Sequence, residues 1–130
     1  MVSWSPGIPA SPSFDEATIS HTKKRGVVSI PGAYTATEIL KAYEAGADIV
    51  KVFPAPNPQY IKDIRGPLSH IPLMPTGGVN IYNIRAFQEA GAVAFGVGSA
   101  LVDHRQPVTK EWLLTLTNNA AAFVQAIGRQ

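Results

Sequence analysis

Apolar residues follow two rhythms along the chain. In four short runs they occupy nearly every position: Val27-Val28-Ser29-Ile30, Ile49-Val50-Lys51-Val52-Phe53, Pro72-Leu73-Met74 and Val93-Ala94-Phe95-Gly96-Val97. Apolar character on both alternating faces predicts strands covered by helices on both sides. Between these runs the spacing is helical. A weak helix is expected near Asp15–Lys24 and another over Gln59–Arg65, closed by Gly66-Pro67. A longer one fits Thr109 to Ile127, with Leu113, Leu116, Ala120, Phe123, Val124 and Ile127 on its apolar side. The opening segment, Ser3 to Gly7, reads as one more short strand.

Two further helices are marked by an internal echo. Glu44-Ala45-Gly46-Ala47 recurs as Glu89-Ala90-Gly91-Ala92, a shift of 45 positions that also takes Thr35 onto Asn80 and Ile39 onto Ile84. Each copy starts at an N-cap residue, runs through an apolar-periodic segment and ends at a glycine, with a β-rich run after it. Thr35-Ala36-Thr37-Glu38 is a capping box, in which hydroxyl and carboxylate satisfy reciprocal backbone N–H groups. Gly46 and Gly91 can take the left-handed conformation that closes a helix. The second copy is expected to begin after Asn80 and bury Ile81, Ile84 and Phe87.

The resulting order alternates strand and helix through five βα units, with no composition break to mark a second domain. Residues 1–130 are therefore one α/β domain with a parallel sheet and right-handed crossovers. At about 26 residues per unit, two architectures remain open on periodicity alone: a complete doubly wound open sheet, or five-eighths of a (β/α)8 barrel.

Composition narrows the function classes. The 130 residues are 45% hydrophobic and 15% charged, too apolar for a disordered tail. Eleven basic residues stand against nine acidic ones and no basic block exceeds Lys23-Lys24-Arg25, so neither nucleic acid nor an anionic membrane is expected as partner. The absence of cysteine excludes a disulfide scaffold, a thiolate zinc site and a cysteine nucleophile, and fits a reducing cytoplasm. No apolar run approaches the roughly 18 residues of a membrane span, and Met1-Val2-Ser3-Trp4 lacks the start of a signal peptide. A soluble cytoplasmic chain is the expectation.

Lys51 is the residue that changes the picture. The other lysines lie on segments with a solvated side, whereas Lys51 interrupts a strand of Ile, Val and Phe, on the same face as Ile49 and Phe53. On an edge strand it would be a gatekeeper against aggregation. Facing a barrel interior, its ammonium loses hydration, its pKa falls, and the neutral amine can attack a ketone to form a Schiff base. Two glycine-rich turns favour the second alternative. Thr76-Gly77-Gly78-Val79-Asn80 follows one expected strand and Gly96-Val97-Gly98-Ser99-Ala100 the next. Glycines allow close approach of backbone N–H groups to an anion, and a pair of such turns after consecutive strands matches the phosphate site after strands 7 and 8 of many barrels. His21, His70 and His104 are too far apart in sequence to suggest a metal site, and no metal or organic cofactor is expected.

Ile30-Pro31-Gly32-Ala33-Tyr34-Thr35, Val50-Lys51-Val52-Phe53-Pro54-Ala55, Pro75-Thr76-Gly77-Gly78-Val79 and Gly98-Ser99, with Ser5-Pro6-Gly7 before them, resemble the 2-keto-3-deoxy-6-phosphogluconate/4-hydroxy-2-oxoglutarate (KDPG/KHG) aldolase family. The resemblance covers nearly the whole chain in the family's order. It implies a partial (β/α)8 TIM barrel, about strands 4–8 with their helices, in a homotrimer, acting on a small 2-keto acid. It also implies roles: Lys51 as the Schiff-base lysine, Phe53 as its neighbour in the pocket, Pro6, Pro31 and Thr76 around the pyruvate end, and Gly77, Gly78, Gly98 and Ser99 around a phosphate. The family's strand glutamate, carboxylate-binding arginine and Gly-Thr turn have no counterpart here, because Glu16, Glu38, Glu44 and Glu89 all fall on expected helices. The activity expected is cleavage to pyruvate and an aldehyde. Its competitor is a truncated, non-catalytic half-barrel that binds phosphate or serves as an assembly piece, and a weaker one is a phosphate-binding isomerase piece with no need of Lys51.

Overall fold

Helices and strands alternate through residues 10–128, the part of the chain that the computed structural model describes. The elements are α1 (Glu16–Lys24), β1 (Gly32–Ala33), α2 (Ala36–Glu44), β2 (Val50–Val52), α3 (Pro58–Arg65), β3 (Leu73–Pro75), α4 (Ile84–Glu89) and α5 (Lys110–Ile127). The strand expected at Ser3–Gly7, and Pro6 with it, lies outside the described residues.

The three strands are parallel and lie in the order β1-β2-β3, with Gly32 and Met74 flanking Lys51 in register. Isolated parallel bridges extend the pairing on either side, Ala10 to Ile30 and Thr76 to Gly96. Five segments thus sit side by side in the order of the sequence, without the reversal that defines a doubly wound sheet. Two of the expected strands are reduced to these bridges. Val27–Ile30 does not form one because Ser29 pairs with Asp48 instead: its N–H donates to the Asp48 carboxylate at 2.8 Å and its carbonyl accepts from Asp48 N. The strand that follows is short because Pro31 has no N–H to donate. Val93–Val97 is broken by register, since Val93 N donates to Leu73 O and Gly96 N to Pro75 O, three residues on one chain against two on the other.

Helix boundaries follow the capping chemistry. Thr35 and Glu38 form the reciprocal box. Both copies of the echo close in a Schellman arrangement. Gly46 N donates to Tyr43 O and Ala47 N to Ala42 O, while Gly91 N donates to Gln88 O and Ala92 N to Phe87 O. The closing glycines have φ of 109° and 102°. Asn80 does cap a turn, its Oδ1 accepting from Tyr82 N and Asn83 N, but the regular helix α4 starts only at Ile84. At α3, Asn57 Oδ1 accepts from Tyr60 N at 2.9 Å. Asn57→Ala should lower unfolding stability by about 1 kcal/mol, read from urea melts.

One face of the sheet is sealed by helices. Val50 and Val52 are 0% exposed and cluster with Leu73, with Ile39 and Ala42 of α2, Ile61 and Ile64 of α3, and Ile84 and Phe87 of α4. Burying a side chain of this size contributes about 1.5–3 kcal/mol. The other face is not covered as the strand pattern predicts: Ile49, Lys51 and Met74 are half-buried and Phe53 is exposed. Helix α5 also differs from its expected apolar side. Phe123 is buried and Trp112, Leu116, Ala120 and Ile127 are half-buried, but Leu113 and Val124 are 47% and 63% exposed, because only the stripe facing α4 finds a partner. Among the described residues no helix is long and apolar enough to cross a membrane.

Candidate active site

Three of the chemistry-bearing segments singled out by sequence leave the carboxyl ends of parallel strands or bridges. Phe53 follows β2, Thr76-Gly77-Gly78 leaves β3, and Gly98-Ser99 follows the Gly96 bridge. Their side chains and backbone meet around a cleft of about 240 Å³ that includes Phe53, Thr76, Gly77, Gly78, Gly98 and Ser99. Six of the expected site residues are thereby brought together. No acidic side chain is among those lining it.

The loop is fixed by its own geometry. Gly77 and Gly78 have φ of 81° and 83°, a region L side chains rarely adopt. Gly78 O is held from behind by Asn83 Nδ2–H at 2.8 Å, and Asn83 Oδ1 accepts from Asn80 N at 2.8 Å. Among the described residues, the N–H groups of Gly77, Gly78 and Ser99 donate to no protein acceptor. Asn83 was not singled out by the sequence reading; an asparagine three residues after Asn80, beyond a Gly-Gly turn, is the signal that marks it. Expectation and structure differ on the helix terminus: the regular helix begins beyond the Asn80–Asn83 turn, so the glycine turn and not a helix end lines the cleft.

Thr76 sits at the bottom of this wall. Its backbone is clamped on both sides, N to Val52 O at 3.0 Å and O from Ala55 N at 2.8 Å. Its Oγ1 is buried without a hydrogen-bond partner. An unsatisfied buried hydroxyl costs about 1–3 kcal/mol.

Lys51 lies one strand over, in mid-strand. Its Nζ stands 5.3 Å from the centroid of the Phe53 ring, which is itself part of the cleft wall. Loss of hydration lowers its pKa below the ordinary lysine value. It makes none of the ion pairs found among the described residues. Pro31 is buried and touches this residue through the backbone, its carbonyl accepting from Lys51 N at 2.9 Å; it does not line the cleft. Glu16, Glu38, Glu44 and Glu89 lie on helices as expected. Among the described residues no cluster of three His, Cys, Asp or Glu side chains converges to hold a metal ion, and His70 packs edge-on against Tyr43.

The half-buried Lys51 in mid-strand, beside two glycine turns that leave the carboxyl ends of parallel strands, has the placement at which α/β proteins commonly carry their small-molecule sites. Residues 7–114 match the family described as KDPG and KHG aldolase, and the chain belongs to that family. It is 36% identical over 119 residues to the 2-dehydro-3-deoxy-6-phosphogalactonate aldolase of Escherichia coli (strain K12), an alignment covering 89% of this chain and 56% of that protein. It is 34% identical over 80 residues to the 2-dehydro-3-deoxy-phosphogluconate aldolase of Treponema pallidum (strain Nichols), covering 59% of this chain and 38% of that one. A solved structure described as native KDPGal superimposes with a TM-score of 0.83 at 34% identity, over 92% of this chain and 57% of the other. The chain spans about half the length of the curated relatives it matches.

Proposed function

We propose that the chain carries the Schiff-base half of a 2-keto acid aldolase site, with Lys51 as the covalent residue. The observation that carries this is the placement of Lys51 Nζ against the Phe53 ring, beside a cleft lined by two glycine turns and by no carboxylate among the described residues. In this reading the sequential parallel order of the five segments is about strands 4–8 of a (β/α)8 barrel, residues 1–130 forming one domain, and the half-open sheet face is the barrel interior.

The uncharged amine of Lys51 adds to the C2 ketone of a 2-keto-4-hydroxy acid, and loss of water gives a protonated imine. As the C4 hydroxyl loses its proton, the C3–C4 bond breaks and its electron pair moves into the imine, releasing an aldehyde and leaving an enamine. Protonation at C3 and hydrolysis free pyruvate and regenerate Lys51. Thr76 lies at the pyruvate end, and Gly77, Gly78, Gly98 and Ser99 hold the phosphate of a substrate such as 2-keto-3-deoxy-6-phosphogluconate, or stay solvated with 4-hydroxy-2-oxoglutarate. General acid–base assistance is worth about 10²–10⁴ in rate. Among the described residues no carboxylate stands in the cleft to provide it, so trapping of the imine is expected to outrun turnover. The family's homotrimer in the cytoplasm is the setting this chemistry fits, and the exposed side chains Leu113, Leu114 and Val124 of α5 offer apolar surface for such an assembly.

Incubation with pyruvate and borohydride, followed by digestion and mass spectrometry, should place the reduced adduct on Lys51. No adduct, or labelling of Lys51 no faster than Lys23, Lys41 or Lys62, removes the assignment.

A further inference from the structure

We propose that the cleft on the opposite side of Phe53 is a second substrate subsite, in which Tyr34 binds the uncharged, hydroxyl-bearing middle of the substrate chain and selects for it. This deepens the aldolase reading given above and rests on it for the position of the two substrate ends.

Phe53 belongs to two clefts. One is the glycine-turn cleft; the other, of about 310 Å³, is bounded by Pro12, Ser13, Phe14, Gly32, Tyr34 and Glu38 as well. Both lie at the carboxyl ends of neighbouring strands and share Phe53 as a common wall. Lys51 lies against that ring.

Tyr34 is held from three sides, and only its hydroxyl is left over. Its N–H donates to Glu38 Oε2 at 3.1 Å. Its carbonyl accepts from the Tyr60 hydroxyl at 2.7 Å, and its ring stacks on that of Tyr60 with centroids 5.2 Å apart and planes 20° from parallel. Burial raises the pKa of Tyr60, with smaller contributions from Tyr34 and Glu38, which keeps the phenol a donor. Tyr34 is 40% exposed, and among the described residues its Oη makes no hydrogen bond. A rigid phenol with a free hydroxyl can both donate to and accept from a ligand hydroxyl.

Charge decides what part of a substrate enters. The Glu38 carboxylate accepts from Thr35 N at 2.7 Å, from Thr35 Oγ1 and from Tyr34 N, and these bonds hold its pKa below the usual value. It therefore stays ionised, and it already occupies the amino-terminal end of α2, where an anion would otherwise be favoured. A substrate carboxylate or phosphate is repelled here, while the acid-free glycine-turn cleft accepts one. A chain with anionic ends and hydroxyls between them fits only with its neutral stretch toward Tyr34.

Binding is read by calorimetry with two probes that cannot form an imine: a 3-deoxyhexonate 6-phosphate, hydroxylated along the chain, and 6-phosphohexanoate, which lacks those hydroxyls. The parent should prefer the hydroxylated compound. Tyr34→Phe, which keeps the ring stack and both backbone bonds, should weaken that compound about three- to tenfold and leave the hydroxyl-free one unchanged. Equal affinities in the parent, no binding of either compound, or a preference that survives in Tyr34→Phe each overturn the proposal. Pyruvate trapping at Lys51 in Tyr34→Phe should match the parent. If trapping fails in the parent while the hydroxyl preference holds, the imine reading falls and the subsite stands.

Discussion

Lys51→Met should abolish borohydride trapping of pyruvate altogether, while the protein unfolds at the same or a higher urea concentration near neutral pH. The first half follows from chemistry, because a thioether cannot form an imine and the remaining lysines are exposed, away from the cleft. The second half follows from the physics of the site. Desolvation lowers the Lys51 pKa in the folded chain, so the folded state binds fewer protons than the unfolded one between that lowered pKa and the ordinary lysine value. Stability contributed by this group then rises with pH. The penalty of holding the ammonium is present below the folded pKa and relieved as pH climbs to the unfolded value near 10.4. The Phe53 ring face opposes this, since a cation within about 6 Å of a ring gains roughly 0.5–1 kcal/mol at an exposed site. Methionine removes both effects and keeps the packing of a flexible apolar stem. The stability difference between parent and variant should therefore shrink from pH 7 toward pH 10, and trapping in the parent should rise with pH to a midpoint below that of ordinary lysine. A variant that lost stability at neutral pH and regained it at high pH would show that the folded chain stabilises the Lys51 ammonium, and would overturn the desolvated-amine reading.

Local signals in the chain carried unequal distances into the structure. Caps were legible because they depend on neighbours: Thr35 with Glu38, and Gly46 and Gly91 after their helices, act through bonds no more than five residues apart. Lys51 stood out because a charge in an apolar strand has few explanations, and the period of two placed it on the face opposite Val50 and Val52, where it lies. The glycine turns were legible as turns, and their convergence on one cleft followed from consecutive parallel strands. Other features depend on long-range partners that no window of sequence contains. Ser29 reads as a strand residue until Asp48 takes its N–H. The slip between Val93–Gly96 and Leu73–Pro75 is a property of two chains together. Continuous apolar strands signalled two covered faces, yet helices cover only one, and Ile49 and Met74 on the other are half-open. The Tyr34–Tyr60 stack joins residues 26 apart and had no local mark beyond an aromatic after the Pro31-Gly32 turn.

Gly96→Ala should strongly destabilise the chain behind the glycine-turn cleft, and the reason lies in how closely two segments approach at Thr76. A Cβ on Gly96 would stand 2.1 Å from Thr76 Oγ1, 2.7 Å from Cγ2 and 2.8 Å from Cβ. Rotating the threonine could relieve the first two contacts but not the third, because Cβ moves only with the backbone. That backbone is fixed by its bonds to Val52 and Ala55. The Gly96 segment must therefore move away, breaking its bond to Pro75 O at 2.9 Å. Overpacking and a lost strand hydrogen bond together are expected to cost about 2–4 kcal/mol. The displacement also carries Gly98 and Ser99 away from Gly77 and Gly78, so phosphate-bearing ligands should bind more weakly even where the protein remains folded. Thr76→Ala in the same chain removes the two closest contacts and should return about half the loss, a coupling that urea melts of the four-member cycle would measure. Additive effects across that cycle would mean that Gly96 is there for its backbone freedom alone, and that the wall of the cleft is not built on this contact.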